Sequence, residues 1–494
     1  MRRRAPGIRH LHTHRELVGR AVPAVTSSRS YALDAIIVPA SRPATSLDHA
    51  ITMARAMECK LVILCSRDAW AAEVSQFLSA RSLTQGSVIE LPSGYGHDLF
   101  EFGTSSLDRF PPYQSSVRGT DLSMKRNVGL ILARMLGWKR IFFLDDDIRD
   151  FESADLRQTL SMLRRYNTVG MRVTSFPDNS VACHAHRATA GLQDVLVSGS
   201  ALAVDCTAPI AFFPDIYNED WFFFHDDAAS GLLGCSGRHA TQLRYDPFAD
   251  LERVARQEFG DVLAEGLYAL LHRDRHGDAT RDYWVHFLDA RRDFLSAIID
   301  NLGRAQPEIR PQIRAAVEMA QQCLAQIKPE LCDSYVAAWR QDRQLWAGRL
   351  KRVPAAGSIS DALAQLGLKA DESCDVGQSF PTDTPRGTPT GTVLIRDVAT
   401  LSRRRAERRG QPDDTPTGAG EAATARLAVR EIPALAAGVS RAILASASRG
   451  CIMAVTVATH LARYHPPGQE AAGGSWLQMF LVSLRTRRHD LPRR

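Results

Sequence analysis

The chain has 494 residues, 45% of them apolar, and 61 Lys and Arg against 55 Asp and Glu, for a formal net charge of +6. That length and apolar content exclude a wholly unfolded chain and allow two or three domains around a real core. Seven arginines in residues 1–30 against one acid, Glu16, account for the whole excess, so the remainder is electrically balanced and nucleic acid is not an expected partner.

Residues 1–30 read as a solvated, disordered basic leader without assigned function. Arg20 and Pro23 break "ELVGRAVPAV", so no apolar run of about 7–15 residues is left for a secretory signal, although an Arg-rich, acid-poor leader is also compatible with an organelle transit peptide. No run reaches the roughly 18 apolar residues of a membrane span. The best, "GCIMAVTVATHLA" from Gly450, is short and flanked by Arg449 and Arg463. The nine cysteines (59, 65, 183, 206, 235, 323, 332, 374, 451) form no C-x-x-C pair and show no zinc spacing, which predicts reduced thiols in a cytoplasmic protein.

In chain order, "YALDAIIVPA" (31–40) and "CKLVILCS" (59–66) are short apolar runs that predict buried strands. Between them Leu47, Ile51, Ala54 and Met57 recur at helical spacing, completing a β-α-β unit. A helix over about 69–80, a strand at "SVIEL" (87–91) and a helix over 121–137 follow, the last beginning near Asp121 or Ser123 and stopping at Gly137. "KRIFFL" is the next strand and runs straight into Asp145, Asp146 and Asp147. "TVGMRVTSF" (168–176) and "DVLVSGSALAV" (194–204) are further strands, and 212–234 reads as a loop opening a helix. From about 251 to 352 the pattern is helical.

This alternation predicts an α/β fold, a mixed and mostly parallel sheet with helices on both faces, whose ligands gather at the carboxyl ends of the strands. The expected organisation is a basic leader (1–30), an α/β domain (31–248), a helical extension (249–365), a disordered Pro/Thr/Gly/Arg-rich linker (366–429) and a partly helical basic tail (430–494).

Three adjacent carboxylates at a strand end repel one another unless a cation neutralises them. Oxygen-only ligands suit Mg²⁺ or Mn²⁺ shared with a diphosphate, while the plainer alternative is a solvated acidic turn. Four pieces sharpen the choice: "IIVPASRP", "LVILCSRD", "MKRNVGLILARMLGWKRIFFLDDDI" and "YNEDWFFF". In this order and spacing they resemble the nucleotide-diphospho-sugar glycosyltransferases of the GT-A (Rossmann-like) fold, family 2-like, across roughly residues 33–245.

The resemblance implies that Ala40, Ser41, Arg42 and Asp68 contact the nucleotide of a nucleotide-diphosphate sugar donor and that Arg126 lies near its base or diphosphate. It implies ribose contact by Asp145 and metal binding by Asp146 or Asp147, with the register of the trio open, so all three are candidate ligands for Mn²⁺ or Mg²⁺. It places Glu219 and Asp220 on the acceptor side, where one of them, Asp220 first, is the general base toward an unidentified hydroxyl in an inverting transfer. Gly199 and Trp221 would adjoin them, Gly199 allowing close approach of substrate. Without that resemblance Arg126 is an exposed helix arginine, Asp220 a helix N-cap, and 221–224 core. His184, His186, His225 and His239 are weaker candidates for completing a metal shell.

Other readings compete. Asp146, Asp147 and Asp150 spell the D-D-x-x-D of terpene synthases, which requires a helix in an all-α protein. A nucleotidyltransferase of the same fold would open with a Gly-rich loop, which "VPASRPATS" lacks. A nucleotide-sugar-binding module without turnover is the third.

Overall fold

The computed structural model describes residues 10–11, 13–20, 32–83, 85–106, 108–110, 120–174, 176, 180–194, 197–273 and 279–370. The expectations for residues 1–9 and for the linker and tail beyond residue 370 lie outside the described residues. Residues 1–382 cluster as one unit; a second, 383–494, falls wholly outside them.

In chain order the strands are β1 (Gly19–Arg20), β2 (Ala35–Ala40), β3 (Lys60–Cys65), β4 (Gly86–Glu90), β5 (Arg140–Leu144), β6 (Ile148–Arg149), β7 (Thr168–Thr174), β8 (Ala201–Asp205) and β9 (Leu233–Gln242). The helices are α1 (Asp48–Met57), α2 (Ala71–Ala80), α3 (Leu122–Met135), α4 (Ser153–Ser161), α5 (Val181–Ala188), α6 (Glu219–Phe223), α7 (His225–Ser230), α8 (Leu251–His272), α9 (Arg281–Asp300), α10 (Arg310–Gln326), α11 (Pro329–Arg352) and α12 (Ile359–Gln365). None of the described helices is long and apolar enough to cross a membrane.

The strands form one nine-stranded sheet ordered β1-β9-β7-β8-β5-β2-β3-β4, with β6 on β9. Pairing is parallel throughout β5-β2-β3-β4, and β8 runs antiparallel to both β5 and β7. Every residue of β2 is buried, as expected of a parallel strand covered on both faces. Alternation sorts its side chains: Ile36 and Val38 pack with α1, α2 and α4, whereas Ala35 and Ile37 pack with α3 and the helical segment. Each such Ile or Val removed from water contributes on the order of 1.5–3 kcal/mol. Gly129 lets α3 lie close on the sheet, since a Cβ there would come 3.0 Å from Ile37 and 3.2 Å from Phe143. The helix ends where expected, with Gly137 in the left-handed region at φ +66°.

Several expectations need correction. Within the supposedly disordered leader, His14 is buried, Arg15–Leu17 form a 3₁₀ turn and β1 pairs in parallel with β9. The sheet edge supplies unpaired backbone groups that β1 takes up, an opportunity a two-residue strand does not announce by periodicity. The strand expected over 194–204 begins only at Ala201. The sequence "LGCSGRHATQ" forms β9 without an apolar alternation, because its pairing with β7 supplies the context that propensity lacks. The helical extension belongs to the same unit as the sheet: Asp342 of α11 accepts the N–H of Gly103 (2.7 Å) and both the N–H (2.8 Å) and hydroxyl (2.7 Å) of Thr104.

Candidate active site

Parallel pairing brings the carboxyl ends of β2, β3 and β5 to one edge, so Ser41, Ser66 and Asp145 follow their strands on the same side. There a cleft of about 520 Å³ is lined by the whole Asp145–Asp147 trio, by Ser41 and Arg42, by Lys125 and Arg126 of α3, and by Glu219, Asp220 and Trp221 of α6. The two stretches that the resemblance assigned to donor and acceptor thus share one cavity.

The three aspartates are held in three ways. Asp145 accepts from Nη2 of Arg126 on both carboxylate oxygens, each at 3.0 Å. Asp146, buried, accepts the backbone N–H of Ser41 (2.7 Å) and Arg42 (2.9 Å) and the Arg42 guanidinium. Asp147 accepts from Arg42 Nη2 at 2.8 Å and from Gln242 Nε2 at 3.2 Å. Arg42 therefore spans Asp146 and Asp147 as an internal counter-cation. Burial alone would lower its pKa, but Asp147 and Asp146 outweigh that and hold it above the ordinary arginine value. Its side chain is 44% exposed, so it has room to leave.

Arg126 is not an exposed helix residue: it lines the cleft at 2% exposure, and besides Asp145 it donates through Nη1 to Glu219 Oε1 at 2.7 Å. Burial pulls its pKa down, yet Asp145, Glu219 and Asp220 more than reverse this and keep it raised. The guanidinium joins the end of β5 to the start of α6. Gly199 makes room for this clamp, because a Cβ there would fall 2.6 Å from Arg126 Nη1. Both oxygens of Asp145 accept from Arg126, whereas Asp146 and Asp147 share the partly exposed Arg42 guanidinium.

Asp220 accepts the N–H of Gly199 on Oδ2 (2.7 Å) and of Trp221 on Oδ1 (2.8 Å). It is not the helix N-cap; that is Asn218, in the left-handed region at φ +63°. Two backbone donors fix the carboxylate at the cleft wall. Trp221 lines the cleft beside it, whereas Phe222, Phe223 and Phe224 belong to the core.

The structure does not bring every expected residue to the cleft. Asp68 is exposed and lines nothing there; its neighbour Arg67 does. Ala40 is buried and contributes only its carbonyl, which accepts from Lys125 Nζ at 2.7 Å. None of His184, His186, His225 and His239 lines the cleft. His184 stacks on Phe176 at 4.8 Å, and burial, aided by Arg187 and Arg253, pushes its pKa down to about 3. The D-D-x-x-D reading fails on geometry: the aspartates follow a strand, and Asp150 lies exposed, bonded to Thr241.

Sequence reasoning missed Lys125, although it stands beside Arg126 in "MKRN". Its Nζ ties the ends of β2 and β3 together through Ala40 and Ser66 Oγ (2.6 Å) and pairs with Asp121 at 3.2 Å. Burial lowers its pKa, with Asp121 opposing. It also missed the rim that α8 supplies, Arg253 and Arg256, for which helical spacing offers no signal. A second cavity of about 620 Å³, more apolar and lined by Tyr95, Phe100, Phe102 and Phe213, adjoins the first through Arg67, Thr120 and Asp121.

No family model and no curated protein matches the chain. Among solved structures it is similar to the mannosyltransferase PcManGT from Pyrobaculum calidifontis, determined in complex with GDP-Man and Mn2+, at 13% identity over 66% of this chain and 86% of that one. The TM-score is 0.34; at that value the likeness assigns neither family nor activity, and what the cleft can do follows from its own residues.

Proposed function

We propose that the chain is a metal-dependent glycosyltransferase of the GT-A kind, family 2-like, moving a sugar from a nucleotide-diphosphate donor to a hydroxyl acceptor with inversion. One observation carries this reading: Asp146 and Asp147, at the end of β5, and Asp220, at the start of α6, line the same cleft. Cation handling and proton removal are the two tasks such a transfer needs.

The donor set fits a hard divalent ion. Asp146 and Asp147 offer oxygen only, and they already turn toward a positive charge, the Arg42 guanidinium. Mn²⁺ or Mg²⁺ held there would neutralise the diphosphate that leaves. Ser41 and Arg42 fix Asp146 through their backbone, so that carboxylate keeps its place whether or not the Arg42 side chain stays. The adjoining aromatic cavity is suited to a nucleoside, and Arg67 lies between the two spaces. Asp220 takes the proton of the acceptor hydroxyl, with its own orientation held by Gly199 and Trp221.

Two outcomes follow. Asp220→Asn keeps donor binding, read as the thermal shift given by a nucleoside diphosphate with Mn²⁺, and lowers transfer at least about 100-fold; unimpaired transfer would move the base elsewhere. Arg42→Ala removes the competing cation and tightens Mn²⁺ binding by roughly tenfold, about 1.4 kcal/mol, in calorimetry. Equal affinities in the two proteins would mean that the ion does not enter between Asp146 and Asp147.

A further inference from the structure

Helix α8 carries Glu258, Asp261 and Glu265 at spacings of three and four, which puts them on one face, and all three are buried. Arg291 of α9, 1% exposed, answers two of them: it bonds Glu258 at 2.9 and 2.8 Å and Asp261 at 2.6 Å. One guanidinium thus faces three carboxylates. Buried negative charge left uncompensated costs several kcal/mol per group, so a further cation is called for.

Glu265 is 2% exposed, and it meets side chains from two other segments. His14 Nε2 lies 3.5 Å and His10 Nδ1 3.9 Å from its Oε2. The thiol of Cys183 in α5 completes a group in which the ligand atoms of His10, Cys183 and Glu265 are within 4.8 Å of one another. Among the described residues, His10 Nδ1, His14 Nε2 and Glu265 Oε2 are buried and make no hydrogen bond.

The outer ring nitrogens are anchored. His10 Nε2 sits 2.8 Å from the carbonyl oxygen of the Gln193 side chain, an acceptor only, which places the proton on Nε2 and leaves a lone pair at Nδ1. His14 Nδ1 lies 3.0 Å from His272 Nε2, and His272 Nδ1 lies 3.7 Å from the Glu16 carboxylate. In the tautomer that carries the His272 proton on Nδ1, on the Glu16 side, His272 accepts from His14, whose Nε2 then also presents a lone pair inward. Outer nitrogens tied to acceptors and inner ones aimed at a shared point are how metal-binding histidines are oriented.

We propose that His10, His14, Cys183 and Glu265 bind one transition-metal ion, zinc by their chemistry, and that this ion fastens the N-terminal segment to α5 and α8. Imidazole and thiolate select zinc over Mn²⁺ or Mg²⁺, and four protein ligands make the site structural. In a tetrahedral zinc shell the ligand atoms are roughly 3.3–3.8 Å apart, so His10, Cys183 and Glu265, now within 4.8 Å of one another, draw together by up to about 1 Å, and His14, 3.5 Å from Glu265, closes on the other two as the ion enters. On binding, Cys183 releases its proton to solvent and nothing is oxidised or reduced. The site also bears on the cleft, because the His14 ring packs edge-on against Trp221 at 5.0 Å.

The test is metal analysis of the full-length protein after dialysis, followed by Co²⁺ substitution. About one zinc per chain and a thiolate-to-Co²⁺ charge-transfer band are expected, the band disappearing in Cys183→Ser. The wild-type spectrum needs no variant, so a misfolded Cys183→Ser protein would not rescue or spoil the result. Asp146→Asn/Asp147→Asn should keep its zinc, and chelation should speed tryptic cleavage after Arg15 and Arg20 roughly tenfold. Substoichiometric zinc with no thiolate band overturns the proposal in favour of a metal-free histidine–carboxylate pair, and loss of zinc from the double asparagine protein overturns it by placing the ion in the cleft.

Discussion

Replacing Asp146 and Asp147 together with asparagine is expected to abolish Mn²⁺-dependent donor binding and to lower transfer by at least about 1,000-fold, some 4 kcal/mol of transition-state stabilisation. The fold should survive. Asp146 bonds the N–H groups of Ser41 and Arg42, and an asparagine oxygen can still accept from them. The Arg42 guanidinium, deprived of its carboxylates, is exposed enough to turn to water. The stability change should therefore be small against the functional one, which separates this site from a merely structural ion pair. Titration of Mn²⁺ and thermal shifts with nucleoside diphosphates, each with and without the ion, measure it. An unchanged Mn²⁺-dependent shift in the variant would remove these carboxylates from the chemistry.

Arg126→Met is expected to act in the opposite way, on the fold first. It leaves Asp145 and Glu219 facing each other without their shared cation, and removing one partner of a buried pair costs about 3–5 kcal/mol. For a unit of this size the melting temperature should fall on the order of 10 °C. The double variant Arg126→Met/Glu219→Gln should recover part of that loss, because one unpaired charge has gone. A nucleotide-contacting arginine would behave otherwise, losing donor affinity at nearly unchanged stability. Chemical denaturation alongside donor binding distinguishes the two roles.

Much of the framework was legible in the chain itself. β2, β3 and β5 stand where short apolar runs predict buried strands, α3 ends at Gly137, and the aspartates emerge at the carboxyl end of β5. These features are legible because they are local: strand burial and helix termination depend on residues a few positions apart, and hydrophobic periodicity records them. Even the meeting of the trio with Glu219–Asp220 was implied, through resemblance rather than spacing.

What the chain could not disclose is which charges become partners. Arg126 is answered by Asp145 and by Glu219, 93 residues away, and Arg42 by Asp146 and Asp147, more than 100 residues on. Gly199 matters for the width of a guanidinium that arrives from α3. His10, His14, Cys183 and Glu265 carry no metal spacing, since they come from the N-terminal segment, α5 and α8, and only their packing makes one cluster of them. Local sequence determined the strands, the helices and the acidic strand end. The tertiary structure alone decided the ion pairs and the histidine cluster, because desolvation forces buried polar groups to find complements wherever packing brings them, however far apart they lie in the chain.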